Sequence, residues 1–108
     1  GGSGSGEVVV QPPCLLTDGG TCATSPNFPN NYPNGEGCTI TGLPPIGLDV
    51  IVFDVENCFN CGCDRLIVNG VPYCGRWGPA GVVPSDGTMT WASDRSVTRR
   101  GWKVCWAG

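Results

Sequence analysis

Residues 53–70 read Phe53-Asp-Val-Glu-Asn-Cys-Phe-Asn-Cys-Gly-Cys-Asp-Arg-Leu-Ile-Val-Asn-Gly70. One apolar run ends at Glu56, and a second, Leu66 to Val68, follows Asp64. Short apolar runs bounded by turn residues are typical of β-strands. Three cysteines in six residues lie between the runs. The stretch therefore predicts a strand, an acidic and cysteine-rich loop, and a second strand.

Glu56 and Asp64 are the carboxylates at the ends of these two predicted strands. If disulfide bonds stiffen the loop, both carboxylates are held at neighbouring strand ends. A third, Asp94 in Trp91-Ala-Ser-Asp94, is a candidate to join them. Clustered carboxylates without a cation raise one another's pKa, and a bound cation relieves that repulsion. The pattern predicts a site for a hard cation.

The remaining chain carries the marks of further short strands. Asn69-Gly70 is a strong hairpin signal, because both residues tolerate positive φ in a type I′ turn. In the strand-like run from Ile46 to Val55, the period-two alternation slips near Ile51-Val52, which suggests either a β-bulge or a strand covered on both faces. At least seven short strands, with no amphipathic helix pattern, predict an all-β, disulfide-stapled β-sandwich of two antiparallel sheets.

Length and composition indicate one globular domain. The chain has 108 residues, of which 40% are hydrophobic and 14% charged. Gly1 to Gly6 is interpreted as an engineered Gly/Ser linker, residues 7–13 as an N-terminal tail or short strand, and residues 14–108 as the domain. The net charge of −3 and the lack of a basic stripe argue against nucleic acid as a partner. No apolar run of about 18 residues is present, so no membrane insertion is expected.

Eight cysteines in so small a chain predict four disulfides made outside the cytosol, and hence a secreted protein. The alternative is a zinc site with four thiolates, for which Cys58, Cys61, Cys63 and Cys74 are the candidates. The other four cysteines are scattered without paired spacing, which favours disulfides. The chain has no histidine, which removes Ser-His-Asp and Cys-His catalysis. No catalytic residues and no enzymatic activity are expected.

Four sequence features together resemble a CUB domain, and their order and spacing agree from Cys14 to Trp106. The features are Ser25-Pro-Asn-Phe-Pro-Asn-Asn-Tyr-Pro33; Phe53-Asp-Val-Glu56 followed by Cys61-Gly-Cys-Asp64; Tyr73-Cys-Gly75; and Ser93-Asp94 with a downstream Gly101-Trp102. The closing segment, residues 96–105, also resembles CUB-like repeats of secreted proteins from algae and other protists. The resemblance implies a sandwich of two antiparallel sheets that serves as an extracellular binding module, usually within a larger multidomain protein.

The resemblance also implies two of the disulfides, Cys14–Cys38 and Cys61–Cys74. For the remaining four cysteines, Cys58–Cys63 is sterically easy and would tie the acidic loop. Cys22–Cys105 would then join the N-terminal region to the last strand. These last two pairings are hypotheses, because eight cysteines allow about 105 pairings.

The resemblance implies a calcium site. Many CUB domains bind one Ca²⁺ through three carboxylates, and the corresponding residues here are Glu56, Asp64 and Asp94. The backbone carbonyl of Ser96 or Val97, and water, would complete the shell of about six to eight oxygens. The family uses this site to bind a protein partner that presents a lysine or arginine. The expected function is calcium-dependent protein recognition, or adhesion.

Several residues have a second interpretation. Arg65 and Arg95 each follow a candidate ligand, and either guanidinium could replace the ion in a salt bridge. Tyr32 is expected either to pack within its loop or to hydrogen-bond a ligand carboxylate. Trp91, Trp102 and Trp106 are expected in the core, whereas Trp77 lies in a Gly-rich loop. The candidate partner contacts are Tyr32, Trp77 and Arg95.

Two other functions remain open from the sequence. A carbohydrate- or matrix-binding module would use Trp77, Tyr73 and loop asparagines to bind a glycan. A structural spacer would keep the acidic site only to hold the fold.

Overall fold

The computed structural model describes residues 8–95 and 97–106, and these residues form nine β-strands without an α-helix. The strands are β1 (Val9–Val10), β2 (Leu15–Thr17), β3 (Cys22–Thr24), β4 (Gly37–Thr41), β5 (Asp49–Asp54), β6 (Arg65–Val68), β7 (Val71–Tyr73), β8 (Met89–Ala92) and β9 (Gly101–Cys105). Two single 3₁₀ turns, Asp18–Gly20 and Phe59–Cys61, interrupt the loops. The predicted linker, residues 1–6, lies outside the described residues.

The strands form two sheets in which every pairing is antiparallel. The first sheet has the order β1-β4-β8-β6-β7, and the second has the order β2-β3-β9-β5. The all-β sandwich predicted from the sequence is confirmed. Strands β5 and β7 are edge strands of different sheets.

The core between the sheets is centred on aromatic residues. Trp91 of β8 and Trp102 of β9 are fully buried, and their rings meet edge to face with centroids 6.0 Å apart. Such aromatic pairs add stability beyond the area that they bury. Trp106 is also buried, so all three tryptophans expected in the core are found there.

Two local predictions are confirmed in strands β5 and β6. The pairing of β5 with β9 shifts register between Val50 and Val52, which is a β-bulge that leaves Ile51 exposed. Strand β5 is shorter than the predicted run, because Ile46 lies in the preceding turn. The Asn69-Gly70 turn has φ values of 55° and 76°, as a type I′ hairpin between β6 and β7 requires.

All eight cysteines are paired, in the disulfides Cys14–Cys38, Cys22–Cys105, Cys58–Cys63 and Cys61–Cys74. These pairs coincide with the four given by the sequence and its resemblance. No free thiol remains for a zinc site. Two of the disulfides tie the acidic loop to itself and to the residue that follows β7, which holds the loop against the sandwich.

The N-terminal residues that the structure describes belong to the first sheet. Val9 and Val10 pair with Thr41 and Ile40 of β4. Within the described residues, no helix has the length and apolar character that a membrane span requires.

Candidate calcium centre

Three carboxylates from both sheets meet at one end of the sandwich. Asp64 immediately precedes β6, and Asp94 follows β8. Because Arg65 pairs with Ala92 in antiparallel register, the start of β6 and the end of β8 lie side by side. Glu56 follows β5 of the other sheet. One carboxylate oxygen from each residue lies within 4.8 Å of the others, so the three predicted ligands are close enough to share one ion.

Asp64 is the innermost of the three acids, with 0% of its surface exposed. Its Oδ2 accepts a hydrogen bond from the Tyr32 hydroxyl at 2.5 Å, and its Oδ1 accepts one from the Asp94 backbone N–H at 2.6 Å. A buried carboxylate is costly unless such donors or a cation compensate for the lost water. Both oxygens of Asp64 therefore have donors, which fix the orientation of the carboxylate.

Tyr32 connects the three parts of the site. Its hydroxyl donates to Asp64 and accepts from the Glu56 backbone N–H at 3.1 Å. Its own N–H donates to the Arg99 carbonyl at 3.1 Å, and its ring packs edge to face on Trp91 at 4.8 Å. The expected carboxylate hydrogen bond is observed, whereas the ring packs on Trp91 of β8 instead of within its own loop. Its proposed role as a partner contact does not fit, because the side chain is 1% exposed.

Glu56 carries the unsatisfied atom of the site. Its Oε1 is buried and has no hydrogen-bond partner among the described residues. Burial raises the pKa of Glu56, and the negative charges of Asp94 and Asp64 raise it further, against an opposing effect of Arg99. Burial also raises the pKa of Asp64, although its hydrogen bonds from Tyr32 and Asp94 act in the opposite direction. Glu56 and Asp64 therefore resist ionisation unless a cation joins them.

The raised pKa of Glu56 predicts an unusual pH dependence without metal. A raised pKa means that the folded state holds the proton more tightly than the unfolded state, so stability is lost as pH rises through the folded pKa. In EDTA, raising the pH above the ordinary carboxyl range is expected to lower the melting temperature. The loss should be smaller in Glu56→Gln but unchanged in Glu36→Gln, the matched control. Thermal unfolding across the pH range measures this, and identical slopes in all three proteins would contradict it.

Two arginines, Arg65 and Arg95, were proposed to replace the ion in a salt bridge. Arg65 donates Nη1 to the Cys63 carbonyl at 3.2 Å, and Arg95 is exposed. Among residues 8–95 and 97–106, no ion pair joins either guanidinium to Glu56 or Asp64. Of the two proposed backbone ligands, Val97 is exposed with φ of 59°, and Ser96 lies outside the described residues.

Sequence reasoning missed Arg99 and a pocket beside the acidic cluster. The pocket has a volume of about 320 Å³. Its lining residues are Asp54, Val55, Asn57, Gly75, Arg76, Trp77 and Arg99. Trp77 was predicted as a contact residue, and it is 72% exposed. Linear spacing gives no sign of the others, because Asp54, Arg76 and Arg99 come from three separate segments.

No family model matches the chain, but similar proteins were found by sequence. Blastula protease 10 of Paracentrotus lividus is 40% identical over 91 residues, which cover 71% of this chain and 15% of that protein. Adhesion G-protein coupled receptor G6 of Danio rerio is 30% identical over 101 residues, which cover 83% of this chain and 8% of the receptor. The chain thus spans less than a sixth of either relative.

Solved structures extend the comparison to the fold. The MASP-1 CUB2 domain bound to Ca²⁺ is 26% identical, with a TM-score of 0.60 over 78% of this chain and 88% of that one. The CUB1-EGF-CUB2 region of human MASP-1/3 is 25% identical, with a TM-score of 0.60 over 84% of this chain and 45% of that one. The extracellular region of zebrafish Gpr126/Adgrg6 is 25% identical, with a TM-score of 0.58 over 77% of this chain and 13% of that one. On its sequence features, its two-sheet fold and these likenesses, the chain belongs to the CUB-domain family.

Proposed function

We propose that this domain is a non-catalytic, extracellular protein-recognition module whose binding surface is organised by a Ca²⁺ ion. Glu56, Asp64 and Asp94 would hold the ion. The observation that carries the proposal is the meeting of three carboxylates within 4.8 Å, one of them with a buried oxygen that lacks a hydrogen-bond partner among the described residues. A hard cation is the simplest partner for that oxygen.

The donor set fits calcium. Ca²⁺ takes about six to eight oxygen ligands and tolerates irregular geometry. Three carboxylates supply part of that shell, and water with backbone carbonyls, including that of Ser96 or Val97, would supply the rest. The MASP-1 CUB2 domain, which this chain resembles at 26% identity, is described as bound to Ca²⁺.

The charge of the loaded site suggests what it would recognise. Three carboxylates and one Ca²⁺ leave a net charge of −1 at the end of the sandwich. Asp64 is buried, whereas Glu56 and Asp94 are partly exposed, so oxygens of these two would face a partner. A lysine or arginine side chain complements such a surface, and electrostatic complementarity of this kind chiefly gives specificity and fast association.

An extracellular role within a larger protein is consistent with the rest of the chain. Four disulfides suit an oxidising compartment. The relatives and structural neighbours named above include multidomain proteins, of which this chain matches only a part. The domain would then be one of several modules, with its acidic end turned to the partner.

Calcium titration is the direct test. Extracellular calcium modules commonly bind with Kd of about 0.1–1 mM. At about 10 mM Ca²⁺, such affinities raise the free energy of unfolding by about 1.4–2.7 kcal/mol over EDTA. We expect calorimetric binding in that range and a higher melting temperature in Ca²⁺. Asp94→Asn should abolish both effects, and Asp49→Asn, on the exposed part of β5, should keep them. Absence of any Ca²⁺ effect on the unaltered domain would refute the proposed site.

Recognition of a basic side chain is tested separately with a minimal probe. Nα-acetyl-lysine amide, which keeps its charged side chain, is titrated into the ¹⁵N-labelled domain. Nα-acetyl-norleucine amide is the uncharged control. In Ca²⁺, the lysine probe should shift backbone signals near residues 56 and 94, and the control should not. A spacer without a ligand would bind calcium but give equal, negligible shifts with both probes.

A further inference from the structure

A pocket of about 320 Å³ lies where the edges of the two sheets meet, beside the acidic cluster. Asp54, Val55 and Asn57 come from the end of β5 and the residues after it. Gly75, Arg76 and Trp77 follow β7, and Arg99 precedes β9. The volume lies at the lower end of the range for small-molecule sites, about 300–1,000 Å³. A single ring-sized group fits such a space.

The charged residues of the pocket are not paired with one another. Among residues 8–95 and 97–106, no ion pair joins Arg76 or Arg99 to Asp54, although Arg99 acts electrostatically on the nearby Glu56. The two guanidiniums and the one carboxylate give the pocket a net charge of +1. The chain as a whole has a net charge of −3, so the net charge of the pocket lining is opposite in sign to that of the whole chain.

Trp77 forms one wall of the pocket and is held by its backbone. Its N–H donates to the Cys74 carbonyl at 3.3 Å, and Cys74 is bonded to Cys61. Its six-membered ring lies against Gly75, where a Cβ would come within 3.0 Å of Cε3 and Cζ3. The Gly75 carbonyl accepts from the Val55 N–H at 2.9 Å. A large aromatic surface therefore lies against Gly75 at the edge of the pocket and is 72% exposed.

We propose that this pocket binds a carboxylate-bearing sugar unit of the uronic-acid class. A guanidinium pairs well with a carboxylate, because its planar donors match the two oxygens. The exposed indole offers an apolar platform to the C–H face of a sugar ring. Asp54 and Asn57 offer oxygens that accept hydrogen bonds from ring hydroxyls.

The same residues discriminate against other anions. The inorganic phosphate and sulfate ions carry more negative charge at neutral pH than a carboxylate, and Asp54 would repel that extra charge. Simple anions would also leave the indole surface without a contact. A neutral sugar could stack on Trp77 but would leave both guanidiniums unpaired. The combination of net charge +1, hydroxyl acceptors and one aromatic wall is matched by a monoanionic sugar.

This site is separate from the calcium centre, since none of its lining residues is a proposed Ca²⁺ ligand. The proposed sugar would be a second class of ligand for the domain, besides Ca²⁺. The pocket is also where a carbohydrate-binding function, considered from the sequence, would be located. Tyr73, which the sequence suggested for glycan contact, does not line the pocket. The two sites are coupled electrostatically through Arg99, which also acts on Glu56, so sugar binding is measured both with and without Ca²⁺.

Tryptophan fluorescence provides a specific readout, because Trp91, Trp102 and Trp106 are buried and Trp77 alone of the four is exposed. The folded domain is titrated with glucuronate, glucose and inorganic phosphate, in Ca²⁺ and in EDTA. We expect a saturable change with glucuronate that glucose and phosphate do not produce. Arg76→Gln should weaken glucuronate binding about tenfold, as loss of one charge-assisted hydrogen bond does.

Two further variants complete the test, with calorimetry as the readout. Trp77→Ala should abolish glucuronate binding without changing the melting temperature, because the side chain is largely in solvent. Arg100→Gln, an exposed neighbour outside the pocket, is the matched control and should bind as the unaltered domain does. Failure to bind glucuronate, equal binding of glucose or phosphate, or indifference to both pocket variants would overturn the proposal.

Discussion

Asp64→Ala is expected to lower the free energy of unfolding by about 2–5 kcal/mol and to abolish calcium binding. The alanine removes the acceptor for the Tyr32 hydroxyl and for the Asp94 backbone N–H. Each buried donor left unsatisfied costs about 1–3 kcal/mol. The empty space left in a fully buried position adds to the loss, whereas removal of a carboxylate whose ionisation burial and Asp94 disfavour offsets part of it. Chemical denaturation in EDTA measures the structural part, and calorimetry with Ca²⁺ measures the binding part.

Two controls separate the structural role of Asp64 from its role toward the ion. Asp64→Asn retains a carbonyl acceptor of similar shape, so it should recover part of the stability but none of the calcium affinity. Asp49→Ala removes an exposed carboxylate of β5 and should change stability little. If Asp64→Ala and Asp49→Ala had the same free energy of unfolding in EDTA, the hydrogen bonds at Asp64 would not stabilise the fold.

The double substitution Cys22→Ala/Cys105→Ala removes the Cys22–Cys105 disulfide and is expected to lower the free energy of unfolding strongly. The bond links β3 to β9 across 83 residues of chain. In the chain-entropy model, losing the cross-link of so long a loop costs about 4.6 kcal/mol. Denaturation of the purified double variant measures the change in the free energy of unfolding.

The matched control is Cys58→Ala/Cys63→Ala, which opens a bond across only 5 residues of chain. The same model gives about 2 kcal/mol for this short loop. The order of the two variants therefore tests the physical reason as well as the size. Equal destabilisation by both variants would show that loop length does not control the contribution of these disulfides.

The site stands on a rigid frame at one end of the sandwich. Strands β5, β6 and β8 bring the acids to that end, and two disulfides hold the loop between β5 and β6. Binding residues are commonly placed on loops that a stable scaffold positions. The calcium centre and the neighbouring pocket share this frame, and Arg99 lies close to both: it lines the pocket and opposes the pKa rise of Glu56.

Most of the strands, though not β2 and β3, could be predicted from the sequence, and so could the choice of the three acids that meet in the structure. Alternation of apolar residues is a local, period-two pattern, so the bulge at Ile51 and the buried face of β9 could be predicted from neighbouring residues alone. The Asn69-Gly70 turn was equally predictable, because its backbone geometry depends on those two residues. The three carboxylates were recognised because each lies in a short motif of a familiar family.

The contacts between these strands and acids depend on the tertiary structure. Tyr32 reaches Asp64 across 32 residues of chain, and the Ser25 hydroxyl accepts from the Trp102 N–H across 77. Gly101 permits that approach, since a Cβ there would lie 1.8 Å from Ser25 Oγ. The buried Glu56 oxygen and the pocket around Trp77 depend in the same way on segments distant in sequence. Contacts of this kind have no local pattern, because they are set by the packing of the two sheets and by where each loop comes to rest on them.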